Sequence, residues 1–246
     1  MLNLLGIFEI DRDILLYVQD HIRGPVLDEF FPRITFLGDA GIFWILLTVI
    51  LFCFKKTRKA ALCSAIALAG SVILNNMILK VLINRTRPYE LISGLVLIGK
   101  KAGDASFPSG HTAASFASCI AILPNVKKRW WAPLILTATL IALSRIYIGI
   151  HYPSDVLGGF LSGLFLGLTA ALIGNWAYET FLNRKVAVKK EPSETEAAAS
   201  MVPAFEDGVE ILAEEAREAF LRESVLPECG EEVVAVSPET KQSESE

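Results

Sequence analysis

Cysteine is scarce and scattered in this 246-residue chain: Cys53, Cys63, Cys119 and Cys229, with no C-x2-C spacing. Neither a disulfide framework nor a zinc site is indicated. Histidine is scarcer still, three residues in all, and no cluster of His, Cys or carboxylates shows metal-ligand spacing. The expected chemistry therefore uses no metal and no cofactor. A basic leader is lacking too: Met1-Leu-Asn-Leu-Leu has no positive n-region, and Glu9, Asp11 and Asp13 interrupt its apolar run, unlike a cleaved signal peptide. No convincing internal repeat is visible, which disfavours the inverted-repeat transporters.

Apolar residues are abundant. They make up 52% of the chain against 20% charged, with a mean hydropathy of +0.46. Several runs approach the ~20 residues that cross a bilayer, and they stop near residue 183. Charge splits the chain at about the same place. Residues 1–190 hold 20 Lys or Arg against 11 Asp or Glu, and residues 191–246 hold 3 against 16. The basic excess sits in short loops, as orienting charges do, so no nucleic-acid partner is expected.

The order of the runs gives an all-α, polytopic membrane bundle of five or six spans with an acidic, largely disordered tail. Residues 1–37 read as amphipathic or interfacial helices, an extra span being the alternative. Residues 38–185 form the membrane core, in which 41–54, 60–84, 109–123, 134–150 and 154–178 are the apolar segments. Between them, 85–107 is a hydrophilic loop with an apolar middle, 91–98, readable as a lid or as an interfacial segment. Residues 186–246 form the tail, where 205–220 suits one amphipathic helix and a cytoplasmic partner is conceivable. The basic clusters at 55–59, 127–129 and 184–190 fall at alternate ends of successive spans. The positive-inside rule makes that face cytoplasmic, together with the tail, in a multi-pass plasma-membrane protein.

Polar residues recur beside the ends of the spans, on the opposite, extracytoplasmic face. Lys80-x6-Arg87-Pro88 closes one apolar segment, Pro108-Ser109-Gly110-His111 opens the next, and Ser144-Arg145-x5-His151-x3-Asp155 surrounds the end of a third. Charges at membrane depth need a reason to be there. Lys80, Arg87 and Arg145 would surround a dianionic phosphate, arginine as a planar donor fork and lysine as a mobile charge. The amides after Pro108, at Ser109, Gly110 and His111, would point into an anion pocket at a helix start. His151 and Asp155 are spaced so that the carboxylate can hold one ring nitrogen and leave the other to attack phosphorus. His111 would protonate the leaving oxygen and later activate water. Asn76 reads as an interhelical hydrogen bond, and Arg85 as a contact to headgroups or water.

Together the three stretches resemble the three-part signature of the type 2 phosphatidic acid phosphatase superfamily. The separations also fit, with 19 residues between Pro88 and Pro108 and 32 between His111 and Ser144. The resemblance covers roughly residues 35–180. It implies a metal-independent phosphoric ester or diphosphate hydrolase acting on a phosphorylated membrane lipid. By that likeness His151 is the nucleophile oriented by Asp155, His111 is the general acid, and Lys80, Arg87, Ser109, Gly110 and Arg145 bind phosphate. Undecaprenyl pyrophosphate is the first expected substrate, ahead of phosphatidic acid or phosphatidylglycerophosphate. A transporter or channel is the alternative of another class.

Overall fold

A computed structural model describes residues 4–190 and 210–219. The described residues are helical or irregular, without a strand. The backbone divides into two units, residues 1–185 and 186–246. In the second, residues 210–219 form an exposed helix; residues 191–209 and 220–246, with Cys229 and the two ends of the amphipathic stretch expected at 205–220, lie outside the described residues.

In the first unit, α1 (Leu4–Tyr17) runs into a π-helical turn, Val18–Ile22, and Gly24 leads into α2 (Pro25–Gly38). α3 (Ile42–Cys53) follows α2 after a break in which Ala40 and Gly41 both take positive φ, 49° and 70°. Only glycine does so without cost, so Ala40 is a strained position. α4 (Arg58–Ser71) continues through a π-helical stretch, Val72–Leu79, into α5 (Lys80–Ile83). Asn84 stops it in the left-handed conformation, a favoured helix C-terminal device. The short α6 (Pro88–Leu91) starts with Pro88 at its first position. After a long loop come α7 (Gly110–Ile122), α8 (Trp131–Tyr147) and α9 (Pro153–Lys190).

Among the described residues, four stretches are long and apolar enough to cross a membrane: 25–53, 58–91, 128–147 and 153–184. The first begins at Pro25, so part of the segment expected to lie in the interface is continuous with a span. The remaining apolar segment of the sequence, 109–123, becomes α7, which is only 13 residues long and is the best-buried helix among the described residues. It packs against α3, α4 and α8. Its small residues explain the burial, because they let neighbouring backbones come close. Along α9, Gly159, Gly163 and Gly167 recur at four-residue steps against α7. A Cβ on any of them would lie 2.6–2.9 Å from a backbone oxygen or Ile120 side chain of that seam. Polar side chains stitch the same core. Trp44 Nε1 donates to Ser115 Oγ at 2.9 Å, and Ser64 Oγ lies 2.6 Å from both Thr48 Oγ1 and Ser118 Oγ.

The apolar middle of the 85–107 loop is pinned. Ile92 and Leu95 are buried with Leu15 and Tyr152, and Leu97 and Ile98 pack beside Tyr147 and Ile150. Gln19 and Arg23, at the end of the first helical segment, donate to the carbonyls of Gly94 and Val96. The loop is thus a clasp between the N-terminal segment and the α8–α9 turn.

Candidate active site

The loops at one end of the bundle bring the three motifs together. Arg87, the residue before Pro88, is almost wholly buried. Its Nη1 donates to the Ile150 carbonyl at 3.0 Å and contacts His151 Nε2 at 3.3 Å. A guanidinium only donates, so this contact requires a lone pair on Nε2 and the ring proton on Nδ1. Nδ1 faces Asp155 Oδ2 at 3.5 Å, longer than a good hydrogen bond but with the right partner. Burial, with the charges of Arg145 and Arg87, outweighs Asp155 and pushes the His151 pKa down to about 3. The imidazole is therefore neutral at ordinary pH, with a free electron pair beside a cation.

Asp155 is fully buried in the first turn of α9 and amply bonded. Ser106 Oγ (2.5 Å) and the Tyr152 amide (3.0 Å) donate to Oδ2, and Arg85 Nη1 donates to Oδ1 at 2.6 Å. The sequence reading of Arg85 as a contact to headgroups or water missed these carboxylate partners. Its Nη2 donates to Asp11 Oδ2 at 2.8 Å, and its guanidinium stacks 3.8 Å over the Tyr152 ring. Asp11 is itself buried and accepts from the Ser154 amide at 2.9 Å. The N-terminal helix thus holds Asp155 through one arginine.

Lys80, at the start of α5, meets the carboxylate of Asp104. The same carboxylate accepts from Arg87 Nη2 at 2.6 Å, and the Asp104 carbonyl accepts from Arg87 Nε at 2.9 Å. Burial would raise the Asp104 pKa, but Lys80 and Arg87 hold it at about 2. Both cations therefore embrace one fixed anion.

Ser109 precedes α7, buried, and accepts from Thr112 Oγ1 at 3.0 Å; its amide donates to the Asp155 carbonyl at 3.0 Å. At Gly110 a Cβ would lie 2.9 Å from Asn76 Oδ1 and 3.8 Å from Lys80 Nζ, so only glycine lets Asn76 pack so near the helix start. Asn76 is not the interhelical bond expected. That bond belongs to its neighbour Asn75, whose Oδ1 accepts from Ser162 Oγ at 2.7 Å. The π-helical turns rotate the two asparagines relative to a regular helix. His111 follows Gly110, and its Nε2 lies 2.8 Å from Asp39 Oδ1 at the α2–α3 break. Gly38 admits the ring; a Cβ there would come within 2.6 Å of His111 Cδ2. Arg145, buried in the last turn of α8, donates to Thr35 Oγ1 and leaves Nε without a partner. Its carbonyl accepts from the Ile150 and His151 amides, both at 3.3 Å.

A cavity of about 460 Å³ opens between α3 and α4 and reaches Asn76, Lys80, Asp104, Gly110 and His111. Its outer walls, including Ile45, Leu68 and Val72, are apolar. His151 does not line it, and Arg87, which touches the ring, reaches across to Asp104. All eight residues singled out in the sequence lie at this end of the bundle. Those missed are Asp39, Arg85, Asp104 and Ser106, each a partner of a residue that was found, and Asp11, the partner of Arg85.

Residues 58–179 match the model of the PAP2 superfamily. An undecaprenyl-diphosphatase of Sulfolobus acidocaldarius is 31% identical over 130 residues, 53% of this chain and 63% of that protein. Undecaprenyl-diphosphatase BcrC of Bacillus subtilis is 36% identical over 146 residues, 59% of this chain and 74% of that protein. The chain belongs to the PAP2 superfamily. Among solved PAP2 structures, a transmembrane phosphatidylglycerolphosphate phosphatase from Bacillus subtilis superimposes with a TM-score of 0.57 at 30% identity, over 67% of this chain and 84% of that one. Membership makes this a multi-pass membrane phosphatase of phosphate esters.

Proposed function

We propose that this PAP2 chain hydrolyses a lipid diphosphate, undecaprenyl pyrophosphate first among them, through a phosphohistidine on His151. The observation that carries the mechanism is the pair of contacts on that ring: Asp155 on the Nδ1 side, and a cation on the Nε2 side. The terminal phosphate enters from the cavity and displaces the Asp104 carboxylate, taking over Lys80 and Arg87. Arg145, with its unpartnered Nε, and the amides at the start of α7 complete the cradle. His151 Nε2 forms a bond to phosphorus while the bond to the leaving lipid phosphate oxygen breaks. His111 gives that oxygen a proton. The neutral His111 then takes a proton from water, whose oxygen attacks phosphorus, and the P–N bond breaks to release inorganic phosphate. Burial lowers the His111 pKa; Asp39 opposes this and favours the protonated form that the first step needs, as Asp155 favours the charged form of His151.

The lipid reading rests on the apolar cavity walls, which give a hydrocarbon chain a way out between α3 and α4 toward the bilayer. The substrate preference is suggested by the two diphosphatase relatives. A phosphatidylglycerophosphate or phosphatidic acid monoester would use the same steps, and the phosphatidylglycerolphosphate phosphatase neighbour favours keeping that second reading. By the positive-inside argument the site lies on the extracytoplasmic side, where the carrier lipid is dephosphorylated. Phosphate release in detergent, with the three lipids side by side, separates the readings: we expect the diphosphate to be preferred, and equal rates on all three would refute that preference. In the same assay His151→Ala should abolish turnover without unfolding the protein.

A further inference from the structure

A second cavity, of about 450 Å³, lies at the other end of the bundle, between the 54–57 and 123–130 turns. Its walls are hydrocarbon: Leu47 and Leu51 from α3, Ile122 from α7, Val126, and Leu134 from α8. Its rim is basic, with Lys56 from one turn and Lys127 and Arg129 from the other, beside the exposed ring of Trp130. Two neighbouring cations are occupied. Lys59 pairs with Glu179 at 2.6 Å, and Arg58 Nε donates to the Phe52 carbonyl at 3.1 Å. The three rim cations have no carboxylate partner among the described residues. Arg129 has only the Trp130 ring, at 5.7 Å.

We propose that this cavity binds an anionic glycerophospholipid, its phosphate on Lys56, Lys127 and Arg129 and one acyl chain between α3, α7 and α8. Two turns distant in sequence converge their unpaired positive charge on one apolar hole at the end of membrane spans. Charge and shape there match the two halves of a phospholipid. The acidic stretch 191–246 matches the charge but not the interior. Thr57 spends its hydroxyl proton on the Leu51 and Phe54 carbonyls, and Asn125 spends its amide on Asn175 and Cys63. A peptide backbone entering there would lose water without gaining donors, whereas a hydrocarbon chain needs none. Trp131, whose Nε1 donates to the Leu123 carbonyl at 2.9 Å, anchors the same end at the depth of headgroups. Binding here would tie the enzyme to membranes rich in anionic lipid, far from the reacting phosphate and independently of which substrate the other end accepts.

The full-length protein in nanodiscs of mixed phosphatidylglycerol and phosphatidylcholine, released into native mass spectrometry, reads the bound lipid directly. The wild type should retain phosphatidylglycerol over phosphatidylcholine by about tenfold, since each basic side chain at a membrane surface contributes roughly fivefold before screening. Lys56→Gln/Lys127→Gln/Arg129→Gln should erase that preference while turnover in phosphatidylcholine discs stays normal. Val126→Phe, which fills the cavity without touching its charge, should also weaken retention. Equal retention of both lipids by the wild type, or an unchanged preference in the triple variant, would overturn the proposal. So would carbodiimide cross-links from Lys56 or Lys127 to glutamates of 191–246 that persist when phosphatidylglycerol is present.

Discussion

At the residue scale, what distinguishes His111 and His151 is the company each keeps. Each ring has a carboxylate beside one nitrogen, Asp39 for His111 and Asp155 for His151, but only His151 has a cation against the other. Protonating His151 fills the electron pair that would attack phosphorus, so activity should fall as pH drops through its pKa. With that pKa pushed down to about 3, the acid limb of kcat/KM should lie far below the ordinary imidazole range of about 6.5, once ionisation of the substrate is titrated separately. A limb at 6.5 belonging to the enzyme would contradict the assignment. His111 must instead start protonated. Asp39→Asn removes the charge that favours its protonated form, so the alkaline limb should move to lower pH with KM little changed, and Asp39→Glu should restore it in part. In the proposed route Asp104, paired with Lys80 and Arg87, must give both up to the substrate. Asp104→Asn should therefore make inorganic phosphate inhibit at about tenfold lower concentration, the scale of ~1.4 kcal/mol for one charged hydrogen bond no longer to be displaced. The three motifs were legible in the sequence because each is local, a few side chains at one helix terminus. Asp39 and Asp11 were not, because their partners stand 72 and 74 residues away, and a lone carboxylate in a sequence reads as solvated.

At the element scale, α7 is the strut on which the site is mounted, and α9 is its backing. The span pattern was readable from hydropathy, but the inward position of α7 was not, since a short run of alanine and serine is compatible with a thin span as well as a core helix. Gly163 meets the Ala113 carbonyl so closely that a Cβ would lie 2.7 Å away. Gly163→Ala should therefore cost about 1–3 kcal/mol through overpacking, read as an earlier thermal transition in detergent. The first helix, which the sequence suggested would lie passively in the interface, is tied by Asp11 to Arg85 and through it to Asp155. Asp11→Ala leaves Arg85 half-paired in a mostly buried setting. A loss of about 3 kcal/mol, or roughly 6–12 °C in thermal midpoint, is expected together with lower turnover. A midpoint unchanged in that variant would show that the N-terminal helix is not coupled to the site.

At the scale of the whole molecule, a PAP2 bundle presents two ends of different character. One gathers cations, histidines and buried carboxylates around an apolar cavity; the other offers a basic rim over a second one. The first end suits a phosphate carried on a hydrocarbon chain, and the route drawn through His151 requires no metal, so turnover should survive chelation by EDTA. Turnover at the first end rests on the covalent intermediate. Its most direct measurement is a rapid acid-free quench of the enzyme with undecaprenyl pyrophosphate labelled on the terminal phosphate, followed by peptide mapping under alkaline conditions. We expect label on the peptide that contains His151, appearing before inorganic phosphate and absent from His151→Ala. Phosphate released at full rate with no label on that peptide would contradict it.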